Sequence, residues 1–260
     1  MHDDTAAINL TIKSGGRCGP RSCQSSTTSP AVVYFPAGTY KISARIIDYC
    51  YTQIIGNPND LPVIKAASNF TAFALIDGNQ YQPGNVADPA GALGFNATNV
   101  FYRQIRNFIL DTTGVSPNVS VNGIHWPTAQ ATSLQSLVFR MSQAKGTQHQ
   151  GILIEAGEFP SQGNVSTVHA AYEHDVGSGG FMSDLVFQGG LTGAVLGNQQ
   201  FTSRNLTFCN AVTAINQAFD WGESNHSLQK HRIEVSSQTW TDSLEAGPTN
   251  PSTSAITVSA

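Results

Sequence analysis

Charge is what this sequence has least of. Asp, Glu, Lys and Arg make up 12% of its 260 residues, about half the usual share. The net charge is −4 and the 13 basic residues form no run. Nucleic acid is thereby excluded as a partner, because neutralising phosphates takes clustered Lys and Arg. No stretch of 18 apolar residues occurs, so no membrane-spanning helix is expected. The opening "MHDDTAAINLTIK" lacks the apolar core of a secretory signal. Cysteine is scarce too, with four in the chain. They form no CxxC pair and no cluster with histidine, so no metal and no cofactor is expected. Cys18 and Cys23 share a Gly/Pro loop, "GRCGPRSC", where a disulfide and two free thiols are both open. Cys50 and Cys209 read as buried apolar residues.

What fills the space left by charge is Gly, Ser, Thr, Asn and Gln, with 40% apolar residues to form a core. Seven N-x-S/T sequons, at Asn9, Asn69, Asn96, Asn118, Asn164, Asn205 and Asn225, hint at a secretory route. A neutral polar ligand such as a glycan suits this composition.

Residues 3–14 predict a short helix. Asp3 or Asp4 can cap it, Ile8 and Ile12 share a face, and Gly15-Gly16 stops it. "AVVYFPAGTYKIS" (31–43) predicts a strand, a Pro-Ala-Gly turn and a second strand. "YTQIIG" (51–56) and "LPVIKA" (61–66) are two more, and residues 77–98 read as a long Gly/Pro/Asn loop.

The second half repeats itself. "RNFILD" (106–111), "QSLVFR" (135–140), "SDLVFQ" (183–188) and "RNLTFC" (204–209) share one pattern, with Phe108, Leu137, Leu185 and Leu206 in one slot. Each is followed by a second element: "NGIHW" (122–126), "QGILIE" (150–155), "TGAVLG" (192–197) and "VTAINQ" (212–217). The slots are spaced by 29, 48 and 21 residues. About twenty aperiodic residues, 157–176, interrupt the long interval, and without them it falls to 28. Two short strands per period and no intervening amphipathic helix predict an all-β solenoid, a parallel β-helix, in which each coil buries its apolar slot against its neighbours. The N-terminal helix then caps the open end. The sparse apolar pattern after Gly222 predicts a poorly ordered segment over 223–260, leaving 1–222 as the β-helix domain.

"DDTAAIN", "VVYFPAGTY", "YTQIIGNPNDLPVIKA", "HWPTAQATSLQ" and "GSGGFMSDLVF" resemble the N-terminal half of fungal family 55 glycoside hydrolases. These are secreted exo-β-1,3-glucanases of the pectate-lyase-like superfamily. The resemblance implies a right-handed, single-stranded parallel β-helix, here incomplete, and an extracellular location. It also implies a second β-helix partner, not found in this chain, with β-1,3-glucan bound in the cleft between the two. Such enzymes invert configuration, which needs a general acid and a water activated on the opposite face. In the family a Glu of the second β-helix is the acid, so the acid is expected to be absent here.

By the resemblance, Gln130 in "AQATSLQ" and Ser178 in "GSGG" hold the water. The residues themselves are equally compatible with a turn-bonding Gln and a turn Ser. Their separation of 48 falls to 28 without the insertion, one coil apart. His125, Trp126, Tyr51 and Tyr81 are candidates for substrate binding. For Trp126 two readings are open, an exposed ring stacked on sugar and a ring buried in the coil. Asp111, Glu155, Asp184 and Asp220 lie on or near coils; Asp184 shares its slot with Asn107, Ser136 and Asn205 and reads as an outward polar rung. None is assigned as the catalytic acid. The alternatives within the fold are a pectate lyase or polygalacturonase, which wants clustered Asp, and a non-catalytic glycan-binding β-helix. The 157–176 stretch reads as a surface loop or as a retained intron, and carries no catalytic residue in either case.

Overall fold

A computed structural model describes residues 2–19, 30–81, 94, 101–128, 131–155, 170–218, 227–228, 235–236 and 253–256. The chain divides into two compact units, Met1–Gly163 and Asn164–Ala260. This division falls inside the aperiodic stretch and not after Gly222, where the apolar pattern fades.

The first unit opens with helix α1, Thr5–Lys13. Asp3 accepts a hydrogen bond from the Thr5 amide at 3.0 Å, satisfying one of the orphan donors at the helix start. Ile8 and Ile12 are buried, as their four-residue spacing requires. Gly15 and Gly16 end the helix at φ +85° and +68°, a backbone that costs glycine little.

Strands then follow in coils. β1 (Ala31–Phe35), β2 (Thr39–Ile42) and β3 (Ile46–Ile47) form the first. β4 (Thr52–Gly56), β5 (Val63–Ala66) and β6 (Ala74–Asp77) form the second. β7 (Gln104–Asp111) with β8 (Val121–His125), and β9 (Ser133–Arg140) with β10 (His149–Glu155), form the third and fourth. The Pro36-Ala37-Gly38 turn therefore joins no hairpin. β1 pairs in parallel with β4, and β2 with β5, so the turn is a corner of a coil.

Register stacks like residues into ladders. Val33, Ile54, Ile105 and Leu134 form one; Tyr40, Ile64, Leu110 and Phe139 a second; Ile46, Ile76, Ile124 and Ile152 a third. Apart from Ile152, these residues belong to or pack against one core cluster. Each ladder stacks apolar side chains against the coil above and below, which is where a solenoid finds its stability. Phe108 pairs with Leu137, as the repeat predicts.

Corners repeat as well. Asn107 and Ser136, one slot before those core residues, have φ of +65° and +51°. Asp184 in the second unit has φ +59°. Asn and Asp tolerate this left-handed backbone better than other side chains. Small polar residues recur in that slot because the strand bends there.

In the second unit β11 (Ala170–Gln188) and β12 (Thr192–Cys209) run parallel along their length, with one register shift between Asp175 and Ser178. Leu185 pairs with Leu206, again as the repeat predicts. The Phe187 and Phe208 rings stack at 4.6 Å. β12 also pairs with β13 (Thr213–Ala218), β14 (Ser227–Leu228) and β15 (Val235–Ser236), while β16 (Thr253–Ile256) lies antiparallel to β13. The aperiodic stretch is thus shorter than its composition suggests. Strand structure begins at Ala170, and residues 170–175 pair with "TGAVLG". The short strands β14, β15 and β16 are the described part of 223–260.

Glycine matters where chains touch. A Cβ on Gly123 would meet the Phe139 ring at 2.5 Å, and one on Gly193 would meet the Phe208 ring at 2.5 Å. The glycine of the second repeat element leaves room for the phenylalanine of the first. Cys18 is disulfide-bonded, and Cys23 lies outside the described residues. Cys50 is a buried free thiol, and Cys209 a half-buried one.

Candidate functional site

Three of the sequence-selected residues meet at one place. β6 and β8 are neighbours, and register sets Asp77 beside His125. Their preceding residues, Ile76 and Ile124, point into the core, so strand alternation turns Asp77 and His125 to the opposite face. Both are nevertheless buried. His125 Nδ1 lies 2.9 Å from Asp77 Oδ1. A carboxylate only accepts, so this nitrogen carries the proton. Asp77 Oδ2 accepts from Arg45 at 3.0 Å, and Oδ1 also accepts from the Asn79 amide at 3.2 Å. Burial pushes the Asp77 carboxyl up, but the His125 and Arg45 bonds and charges outweigh it and hold the group below its ordinary value.

Aromatic rings enclose the histidine. Tyr81 stacks on it at 5.2 Å and Phe73 meets it edge-on at 5.0 Å. Trp126 follows on the chain, its amide donating to the Leu153 carbonyl at 2.7 Å. Its side chain is 4% exposed, so of the two readings of this residue the structure takes the buried ring. Tyr51 stands elsewhere, at a coil corner. Gln130 lies outside the described residues, between Thr128 and Thr132, whose hydroxyls are 3.1 Å apart. Ser178 is on β11, in backbone register with Gln199.

The acids divide clearly. Asp111 Oδ1 accepts from the Thr113 amide at 2.9 Å, and Oδ2 pairs with Lys65 at 3.1 Å. Burial raises its carboxyl, but the Thr113 and Lys65 bonds hold it below the ordinary value. A catalytic acid needs the opposite shift. Asp184 is exposed at its left-handed corner. The side chains of Glu155 and Asp220 lie outside the described residues. Asp48 does have a raised carboxyl: burial pushes it up to about 7, with Arg103 opposing. It is fully enclosed, however, so it has no approach to a substrate. Among the described residues no group of three His, Cys, Asp or Glu could hold a metal. No helix among them is long and apolar enough to cross a membrane.

Sequence reasoning missed Asp77, Arg45 and Tyr102. Asp77 falls in the 77–98 stretch that reads as loop, because "LIDG" ends a strand just where the turn residues begin. Tyr102 had a visible signal: "YTQI" at 51–54 and "YRQI" at 102–105 are near copies.

A glucan 1,3-β-glucosidase of Cochliobolus carbonum is 47% identical over 227 residues, 87% of this chain and 26% of its own. A probable glucan endo-1,3-β-glucosidase of Arthroderma benhamiae is 46% identical over 226 residues, 87% of this chain and 23% of its own. A non-secreted LysM effector, LysM15, of Penicillium expansum is 44% identical over 219 residues, 84% of this chain and 14% of its own. The chain therefore spans about a quarter or less of the length of these relatives. The profile of one family matches residues 1–237. With its coils of parallel strands and that match over most of its length, the chain belongs to the rhamnogalacturonase A/epimerase, pectate-lyase-like family.

Proposed function

We propose that this chain is the first β-helix of an inverting glycoside hydrolase acting on β-1,3-glucan. The observation that carries the reading is the 46–47% identity over 87% of the chain to proteins named for β-1,3-glucan hydrolysis. The neutral, polar composition agrees with an uncharged polysaccharide. On this reading the coils wind right-handed as a single-stranded β-helix. The protein works outside the cell, and a second β-helix faces this one across the glucan. That partner and its general acid would come from the portion of a longer protein that this chain does not span.

Gln130 and Ser178 take the role of holding the attacking water. His125, Trp126, Tyr51 and Tyr81 serve the glucan side. Their described geometry supports two kinds of contribution. Trp126 and His125 are enclosed and would shape the site from behind. Tyr81, stacked on His125, and Tyr51, at its corner, would offer ring surface. The Asp77–Arg45 pair would keep His125 in one tautomer and orientation.

The test is a chimera in which this chain replaces the matching segment of the Cochliobolus protein. It should release reducing sugar from laminarin with inverted configuration. Gln130→Ala and Ser178→Ala should each lower kcat on the order of 100-fold. The family description raises a second reading, a pectin-active enzyme. Cleavage of rhamnogalacturonan or polygalacturonate by the chain, with laminarin untouched by the chimera, would replace the glucan reading with that one. Binding of laminarin without turnover would support a purely glycan-binding role.

A further inference from the structure

Two tyrosines occupy one corner of successive coils. Gln53 pairs with Gln104, which sets Tyr51 beside Tyr102. Both have left-handed backbone, φ +60° and +56°. Bulky side chains rarely adopt it, and strain of this kind persists where a structure or a function holds it. The rings are not used for the core. Tyr51 is 37% exposed and Tyr102 55%, and they face each other at 5.2 Å with an interplanar angle of 43°. The backbone beneath is tied together: the Tyr51 amide donates to the Phe101 carbonyl at 3.3 Å, and the Tyr51 carbonyl accepts from Ala31 at 3.1 Å.

The same corner recurs once more. Gln104 pairs with Ser133, so the third position is Ala131, with φ +59°. An alanine satisfies this backbone, so the corner itself does not call for an aromatic ring. Two coils nevertheless carry tyrosine there and present it to solvent. The residue before Ala131 is Gln130.

We propose that Tyr51 and Tyr102 form a carbohydrate platform on the outside of the coils, on which consecutive sugars of a β-1,3-glucan stack. The proposal rests on the glucan reading above and deepens it. One ring per coil spaces the platform by one strand step, about 4.8 Å, comparable with the length of one pyranose ring. A chain lying on it runs along the coil axis, and its next step falls at Ala131, beside Gln130. Nearby charge is not needed, because sugar faces present C–H groups to the ring and recognition is by apolar contact.

The experiment is retention of the 260-residue chain on insoluble linear β-1,3-glucan, with affinity for soluble laminarin measured by calorimetry. Tyr51→Ala and Tyr102→Ala should each weaken binding about fivefold to tenfold. Tyr51→Phe and Tyr102→Phe should bind nearly as well as the parent, because the ring and not the hydroxyl makes the contact. Ala131 shows that alanine fits this corner, and unchanged thermal unfolding of the variants confirms it. Retention unaltered in the Ala double variant overturns the platform while the glucan reading stands. A parent chain that ignores β-1,3-glucan and binds polygalacturonate overturns both.

Discussion

Two buried aspartates sit one step apart at the same edge of the coils, and they differ in charge. Asp77 ends β6; Asp48 follows β3, its amide donating to the Asp77 carbonyl at 3.0 Å. Both are essentially sealed from water. Asp77 accepts from His125, Arg45 and a backbone amide, and stays ionised. Asp48 has a cation near but not bonded, Arg103 at 3.9 Å, and burial pushes it up to about 7. The guanidinium of Arg103 is spent instead on carbonyls. It donates to that of Asp48 at 3.1 Å and to that of Gly78, tying the start of the 78–102 segment to its end. Burial is common to both acids, so burial alone does not set charge; the number of hydrogen bonds reaching the carboxylate does.

The largest effect is expected at Asp77. Asp77→Ala leaves a buried histidine and a partly exposed arginine without their acid and should cost about 3–5 kcal/mol in urea unfolding. A loss under 1 kcal/mol would mean the network is dispensable. Next in size is pH dependence, where the two acids have opposite signs. Asp77 sits below its ordinary value, so its contribution is present above about pH 4 and lost as pH falls below it. Asp48 sits above its ordinary value, so the unfolded chain releases that proton first. Stability from Asp48 is then present below about pH 4 and lost as pH rises towards about 7. Asp48→Asn should flatten that slope, a change on the order of 2–4 kcal/mol across the window. Identical slopes in parent and variant would show that Asp48 is ionised like Asp77.

A smaller effect is expected at His149, a third enclosed group. Its Nδ1 accepts from the Ser142 amide at 3.2 Å, and its Nε2 donates to the Ser116 carbonyl at 3.2 Å. Both nitrogens are committed to the neutral ring, and burial lowers its affinity for a proton. The unfolded chain takes up that proton first, so stability from His149 is lost as pH falls below about 6.5. His149→Leu should remove this dependence and cost about 1–3 kcal/mol at neutral pH, from the unpaired amide and carbonyl. The smallest effect is expected from Asp48→Asn below about pH 4, under about 1 kcal/mol, because the acid there is neutral in both the folded and the unfolded chain, as asparagine is.

The repeat was readable because apolar alternation has a local period. Phe108, Leu137, Leu185 and Leu206 were placed in one slot, and the pairs Phe108–Leu137 and Leu185–Leu206 lie in register. The corner slot of Asn107, Ser136 and Asp184 was visible as polarity, though not as a left-handed bend. The start of β11 at Ala170 was missed, because that strand follows an unpatterned run and its partner lies over twenty residues away. Trp126 could not be resolved from sequence, since an apolar ring is equally at home in a core and under a sugar.

Coil length, the apolar slot of each repeat, the N-terminal helix and the scarcity of charge are legible in the sequence. These depend on neighbours a few residues apart. Tertiary structure alone decided which polar groups meet. Asp77 and His125 are 48 residues apart, and Tyr51 and Tyr102 are one coil apart in register. Parallel stacking turns each of those separations into a single step between strands. Which residue lands beside which depends on the length of every intervening turn, a sum that no local pattern records.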